Sequence, residues 1–227
     1  MRVSGVNSVS EALKAGKVNR IYYDVSHKSR RIEDIVRQAR KLGIPVVGLR
    51  RLESRIEADI SPVKYKDLEY VAEKAIRTGS FLLLLDSVQD PQNLGAVIRN
   101  AVFFGCAGIV IPKRRSAQVN ETVVKVSAGT ALHADIARVS NLANTVKSLK
   151  KLGFHVICAE LGGKSIEEAF MDPPLAIVIG GEDEGVSRPV KKQCDEVVSI
   201  PSFGRAESLN LSCASAIFMY EFRRRLS

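Results

Sequence analysis

Five short apolar runs constrain this chain more than any other feature: FLLLLD (81–86), GIVIP (108–112), FHVICA (154–159), LAIVIG (175–180) and EVVSIP (196–201). Each is continuous rather than alternating, as a strand buried on both faces requires. Amphipathic stretches, such as residues 94–104 and 142–152, lie between them. That alternation predicts an α/β fold in which helices cover a mostly parallel sheet. A last helix is expected over 208–225, with Leu211, Ala214, Ile217 and Phe218 inward. Arg223, Arg224 and Arg225 sit at its negative end, placed to complement the helix dipole or to reach a polyanion.

The first third of the chain has another texture. An amphipathic helix through Leu13, capped by Asn7 or Ser8, leads to a strand at 20–25. A helix at 30–42 follows, with Ile32, Ile35, Val36 and Ala39 on one stripe and Gly43 as its stop. A second strand is expected at 45–49 and a short helix at 51–56. Residues 60–66, with Pro62 and two lysines, read as a connection. The expected division is therefore a small basic α/β domain at 1–66, a linker helix at 67–78 ended by Gly79, and a larger domain at 79–227.

Charge separates the same regions. Residues 1–66 carry 15 Lys+Arg against 7 Asp+Glu, whereas residues 67–227 carry 19 against 18. A one-sided excess of this kind favours a nucleic-acid partner, because phosphate neutralisation releases counterions. Aromatics make up 6% of the chain and Trp is absent, which argues against a long stacking platform for single strands. The four cysteines form no C-x-x-C pair and the three histidines are scattered. No metal is expected, and the thiols read as reduced and mostly buried. No apolar run approaches the roughly 18 residues of a membrane span. The N-terminus lacks an apolar core of signal-peptide length, so the expected location is the cytoplasm.

Two phosphate-loop patterns fail. Gly163-Lys164-Ser165 resembles the end of a Walker loop, but its first glycine would fall on Cys158. No G-x-G-x-x-G follows a strand, which leaves a conventional dinucleotide site unsupported.

Three other segments each combine a strand end, a loop and a helix start. DSVQDPQNLGAVIRN (86–100) delivers Asp86, opens a helix near Asn93 and places Arg99 six residues into it. IGGEDEGVS (179–187) supplies Gly180 and Gly181, which allow close backbone approach to a ligand, then three acidic residues, Glu182 and Glu184 among them. Such acids could hold a metal, but they serve a cationic cofactor or a substrate amine equally well. IPSFGRAESLNLS (200–212) brings Ile200, then Ser208 as a helix cap, Leu209 and Asn210. In a parallel sheet these ends gather on one edge and form one pocket, whose ligand the pattern leaves open.

In this order the three segments resemble the motifs of the SpoU (TrmH-type) family of RNA ribose methyltransferases: D-x-x-x-D-P-x-N-x-G-x-x-x-R-N, G-x-E-x-x-G-x-S and I-P-x-x-G-x-x-x-S-L-N-x-S. VSGVNSVSEALKAGKVNRIYY is similar to the small substrate-binding domain of the RlmB-like branch, while the connection around residues 60–77 departs from it. The resemblance implies a SPOUT domain with a deep trefoil knot over about residues 176–227, an exception to unthreaded connections. It also implies a homodimer and a folded-back S-adenosylmethionine. Cofactor contacts carry over to Gly180 with Gly181 beside it, Ile200 and Leu209, with Ser208 and the loop 127–130, including Thr130, nearby. Arg99 carries over as the catalytic residue and, with Asn93, Ser208 and Asn210, positions the ribose and its phosphate; Glu182, near the cofactor, is grouped with these catalytic residues. The implied substrate is structured RNA: 23S ribosomal RNA at a guanosine 2′-hydroxyl, with transfer RNA or a catalytically silent RNA-binding module as the alternatives.

Overall fold

The computed structural model describes residues 1–182, 184–205 and 208–226. It resolves into two units, Met1–Lys64 with Gln118–His133, and Tyr65–Ala117 with Ala134–Ser227.

The smaller unit holds a four-stranded sheet, β1 (Arg2–Ser4), β2 (Val18–Asp24), β3 (Val46–Leu49) and β4 (Ile56–Ile60), in the order β1-β4-β2-β3. β4 runs antiparallel to both neighbours, while β2 and β3 run parallel. This fourth strand corrects the expectation of a helix at 51–56 and a connection from residue 60. Ile56, Ala58 and Ile60 are buried and alternate with Glu57 and Asp59, a period of two that belongs to a strand.

Two helices cover the sheet. α1 (Val6–Lys14) starts after Gly5 rather than after Asn7 or Ser8, and Ser8 is buried within it. α2 (Arg30–Lys41) buries Ile32, Ile35, Val36 and Ala39, the expected stripe. The segment Gln118–His133, placed in the larger domain by sequence order, belongs to this unit. The Arg2 amide donates to Glu121 Oε1 at 2.6 Å, Lys17 Nζ donates to the Leu132 carbonyl at 2.8 Å, and His133 Nε2 lies 2.9 Å from Glu11 Oε2. Its Val123, Val124, Ala131 and Leu132 are buried. Apolar residues mark a segment for burial without saying against what.

The larger unit contains α3 (Leu68–Thr78), β5 (Phe81–Asp86), α4 (Pro91–Phe103), β6 (Gly108–Pro112), β7 (Ile136–Val139), α6 (Leu142–Lys151), β8 (His155–Ser165), β9 (Leu175–Gly180), α7 (Arg188–Lys191), β10 (Glu196–Ser199) and α8 (Leu211–Leu226); α5 (Glu121–Val126) lies in the smaller unit. Its six strands run β10-β8-β9-β5-β6-β7, and every neighbouring pair is parallel. β5 and β9 lie at the centre and are buried along their whole length, which is why FLLLLD and LAIVIG carry no alternation.

Against the expectation of a linker, α3 is a covering helix. Val71, Ala72 and Ala75 join Leu82, Leu84 and Val110 in the core, and Gly79, at φ 58°, turns the chain into β5. β7 was not foreseen as a strand. Cys158 is buried, Cys106 and Cys194 are half-buried, and Cys213 is exposed, so fewer thiols are enclosed than expected.

The last helix begins at Leu211, three residues later than its periodicity predicts, because Asn210 rather than Ser208 precedes its first turn. Asn210 Oδ1 accepts from the Ser212 amide at 2.9 Å and the Ser212 hydroxyl at 2.6 Å. Its terminal arginines are mostly internal ties. Arg223 donates to the carbonyls of Phe104 and Gly105 at 2.6 and 2.7 Å, and Arg225 to those of Ile166 and Glu167 at 2.6 and 2.8 Å. Phe222 meets the Phe81 ring edge-on at 4.8 Å. Among the described residues, no helix is long and apolar enough to cross a membrane.

Two stability predictions follow from this packing. A Cβ at Gly108 would lie 2.5 Å from Val71 Cβ. Gly108→Ala should therefore cost about 1–3 kcal/mol in urea unfolding, and Val71→Ala in the same chain should recover part of it. The second concerns Glu221, which accepts from Arg224 Nη2 and Arg225 Nε, both at 2.7 Å. Hydrogen bonds from Arg224, then Arg225, hold its carboxyl down at about 2. The folded value lies below the unfolded one, about 4.3. The stabilisation is thus full above the unfolded value and lost as pH falls through about 2. The difference in melting temperature between wild type and Glu221→Gln should shrink across that window and stay level above it.

Candidate active site

The sheet reverses its winding between β5 and β9. From β5 the chain leaves through α4 to β6 on one side, and from β9 through α7 to β10 on the other. Crevices for ligands open at the carboxyl ends of strands at such a switch. Asp86 and Gly180, which end the two strands, are register partners.

Asp86 fixes the loop after β9. Its buried Oδ2 accepts from the Ser187 amide at 2.9 Å, and its carbonyl accepts from the Gly181 amide at 2.8 Å. The Gly185 amide then donates to the Gly181 carbonyl at 3.0 Å, closing a tight turn. A Cβ at Gly180 would lie 1.9 Å from the Gly185 carbonyl carbon, and one at Gly181 would lie 2.5 Å from the Ser87 carbonyl oxygen. Both glycines are thus required by the protein's own backbone, whereas the sequence pattern pointed to close approach by a ligand.

A cleft of about 610 Å³ opens beside this turn, within the roughly 300–1,000 Å³ of small-molecule sites. Gly180, Gly181 and Glu182 line it from the end of β9. Ile200, Ser208, Leu209 and Asn210 line it from the chain after β10. The facing wall comes from an excursion in β8: Val197 pairs with Cys158 but Val198 with Lys164, so residues 159–163 bulge outward. Gly163 permits this, since a Cβ there would meet the Val197 carbonyl oxygen at 2.4 Å. Leu161 and Leu209 leave exposed apolar surface at the cleft, and Glu160, Glu182 and Glu184 make it acidic. Lys191 neutralises Glu160 at 2.7 Å; among the described residues Glu182 and Glu184 have no cationic partner.

Glu182 is held by two amides. Asn93 Nδ2 donates to its Oε1 at 2.7 Å, and Asn210 Nδ2 reaches the same oxygen and Asn93 Oδ1, each at 3.3 Å. Asn93 is presented by the first turn of α4, where Pro91 starts the helix and the Asp90 carboxylate accepts from the Gln92 and Asn93 amides. Three sequence-distant motifs therefore converge on one carboxylate oxygen.

Beyond that cluster lies a second chamber of about 620 Å³, lined by residues 87–90, Asn93 and Arg115 among others. Arg115 escaped the sequence reading because it sits in a polar KRRS run with no periodicity to place it. Ser87 and Arg115 both take positive φ, 60° and 54°.

Two expected residues are not brought to this cleft. Arg99 is exposed on α4, lines neither chamber and makes no hydrogen bond or ion pair with the described residues. Six residues of helix place it about a third of a turn from Asn93, and Phe103, four residues on, shares its face and is 82% exposed. Thr130 lies in the smaller unit, where its hydroxyl donates to the Ser127 carbonyl at 2.8 Å. Asp183, the middle acid of the second motif, falls outside the described residues. Among the thiols, burial pushes Cys106 up to about 12; a hydrogen bond with Cys194, then burial, raises Cys158, and the same hydrogen bond lowers Cys194. No cluster of metal-ligating side chains occurs among the described residues.

A parallel sheet with a switch-point cleft, an acidic rim and an amide-held carboxylate defines an α/β protein built to hold a compact, partly cationic ligand. The chain belongs to the SpoU rRNA methylase family, whose model matches residues 80–220, and residues 2–48 match the RNA 2′-O ribose methyltransferase substrate-binding model. It is 51% identical over 225 residues to an uncharacterized tRNA/rRNA methyltransferase of Archaeoglobus fulgidus, covering 99% of each chain. It is 36% identical to a putative TrmH family tRNA/rRNA methyltransferase of Staphylococcus haemolyticus, covering 98% of this chain and 95% of that one. In fold it is similar to the SpoU methyltransferase AviRb of Streptomyces viridochromogenes, solved in complex with AdoMet: TM-score 0.84 at 24% identity, over 100% of this chain and 90% of that chain.

Asp86→Ala should release the 181–187 turn. Losing a charge-assisted hydrogen bond costs about 1.5–3 kcal/mol, so amide exchange at residues 185–187 should quicken at least about tenfold. Unchanged protection there would refute the role given to Asp86.

Proposed function

We propose that this chain transfers a methyl group from S-adenosylmethionine to a ribose 2′-hydroxyl of structured RNA, with ribosomal RNA as its substrate in the cytoplasm. The observation that carries this reading is the convergence of Asn93, Glu182 and Asn210 between two adjoining chambers, one fit for a cofactor and one for an acceptor.

The cofactor cleft fits its proposed occupant by its own chemistry. Backbone at Gly180, Ile200 and Leu209 lines the cleft and offers hydrogen-bonding groups, Leu161 and Leu209 offer apolar surface to a base, and Glu182 and Glu184, without a cationic partner among the described residues, favour a cationic ligand. S-adenosylmethionine, when bound, supplies a methyl group already activated on a sulfonium. The protein's task is alignment, for which proximity and orientation are worth roughly 7–11 kcal/mol in favourable cases. The Asn93 and Asn210 amides, with Ser208 beside them, would hold the ribose. These residues would hold the 2′-oxygen in line with the methyl group that S-adenosylmethionine supplies, and the 2′-proton would leave to water or to the adjoining phosphate.

Arg99 fits as an orienting group for that phosphate. A guanidinium, with a pKa above about 12, does not act as a base, but its planar fork matches a phosphate. Because Arg99 shares an exposed face with Phe103, we assign it to the cleft of a second copy in a homodimer packed through this face. The knotted course over about residues 176–227 belongs to the same proposal. The match of the N-terminal segment to an RNA 2′-O ribose methyltransferase substrate-binding model, and the charge excess of residues 1–66, favour an RNA substrate, which we take to be ribosomal.

The test is an assay with methyl-labelled S-adenosylmethionine and size-fractionated RNA. Label should appear in ribosomal RNA and block alkaline cleavage at one site. Gly180→Ala should lower both cofactor affinity and transfer at least about tenfold, since its Cβ would collide with Gly185. Label on a base, or cofactor binding without transfer to any RNA, would overturn the proposal; label in transfer RNA would replace the substrate.

A further inference from the structure

The smaller unit contains a buried carboxylate that the proposed chemistry does not use. Asp24 ends β2 and, among the described residues, has no cationic partner. Its Oδ1 accepts from the Ser26 amide at 2.8 Å and the Ser26 hydroxyl at 2.5 Å, and its Oδ2 from the Leu52 amide at 3.0 Å. The Arg51 amide adds to these, and together they hold the Asp24 carboxyl below its ordinary range, Ser26 contributing most. The Asp24 amide donates to the Arg55 carbonyl at 2.9 Å. One side chain therefore fastens two loops, 25–29 after β2 and 50–55 after β3. They lie side by side because β2 and β3 are parallel and Asp24 is opposite Leu49.

The second loop carries Arg50, Arg51 and Arg55, all exposed. Five non-glycine residues among those described have positive φ, and three are arginines; Arg51 at 63° and Arg55 at 65° are two of them. Glycine would take these conformations without strain, so keeping arginine there points to a use for the side chain. Several arginines elsewhere are tied within the protein: Arg2 to Asp59, Arg37 to Asp34, Arg224 to Glu221, and Arg223 and Arg225 to carbonyls. Arg50, Arg51 and Arg55 make no side-chain hydrogen bond or ion pair with the described residues. The first loop adds His27 and Lys28, which border a groove of about 550 Å³ with Arg40 and Lys41 of α2. Glu33 and Glu53 are the only unpaired acids in these segments.

We infer that this strand-end edge is the RNA-docking face of the smaller unit, with Arg50, Arg51 and Arg55 gripping phosphates and Asp24 as the positioning residue that sets their loop. The inference rests on the proposed action on RNA and adds where that RNA is held. Guanidinium forks fixed on a short loop suit the bidentate recognition of backbone phosphates. Sequence selectivity is not required of such a grip.

The test uses the full chain, total ribosomal RNA and salt between about 50 and 200 mM, with S-adenosylmethionine affinity measured in parallel. Replacing all three arginines by Gln should weaken RNA binding about tenfold and reduce the slope of log K against log salt by about two, leaving cofactor affinity unchanged. Replacing Lys147, Lys151 and Lys192 by Gln removes equal charge from the larger unit and should change the slope by less than one. Asp24→Asn separates positioning from charge. Removal of a negative charge alone should strengthen RNA binding, whereas loss of the Leu52 anchor should weaken it several-fold.

A wild-type chain that methylates RNA while the arginine variant keeps the full slope would overturn the docking face and leave the activity intact. Equal slope losses in both triple variants, or tighter binding by Asp24→Asn, would overturn it as well. Loss of binding to phosphatidylglycerol vesicles, with RNA binding unchanged, would reassign the face to a membrane. A wild type that neither binds nor methylates RNA would remove the parent reading too.

Discussion

The larger unit depends on one contact between backbone and backbone. At the end of β9 the chain doubles back so closely that Gly180 has 1.9 Å between its would-be Cβ and the Gly185 carbonyl carbon. The fold keeps this turn closed through Asp86, which anchors its far side at Ser187. Everything assigned to the cleft follows from that closure. Glu182 projects from the turn to meet Asn93 and Asn210, and the chain after β10 can lie across from it. The acidic character of the site rests on Glu182, held by two side-chain amides, and on Glu184, neither with a cationic partner among the described residues, whereas Glu160 is paired with Lys191.

The same device occurs twice. Asp24 and Asp86 both end a strand, both are buried, and both are satisfied by loop amides and hydroxyls without a cation. A carboxylate has only acceptor oxygens, so at a strand end it collects amides that would otherwise lack partners and sets the shape of the loop supplying them. In one unit the loop so shaped borders the cleft. In the other it presents arginines.

The charge excess of residues 1–66 divides on inspection into paired and unpaired cations. Some arginines are structural, neutralising acids as Arg2 and Arg37 do or capping carbonyls, and the three at the C-terminus are the plainest case. Net charge alone gives the sign of the partner. The distribution of hydrogen bonds shows which cations remain available to it.

Composition and periodicity determined a good deal without help. Continuous apolar runs fix the parallel sheet, because a strand covered on both faces has nowhere to place a polar side chain, and five of its six strands are legible for that reason. The motif residues Asn93, Gly180, Glu182, Ile200, Ser208, Leu209 and Asn210 were legible as a set, since strand ends in a parallel sheet share an edge. Local signals failed where local spacing is ambiguous. Ile56–Ile60 alternates over only five residues, and the segment 118–133 reads as apolar without naming the unit that covers it. Arg115 carries no pattern at all, and the outward face of Arg99 is settled by how α4 lies on α8. Register, helix rotation and loop closure are properties of packing between distant segments. The sequence therefore determined which residues would be gathered, and only the tertiary structure decided which of them touch.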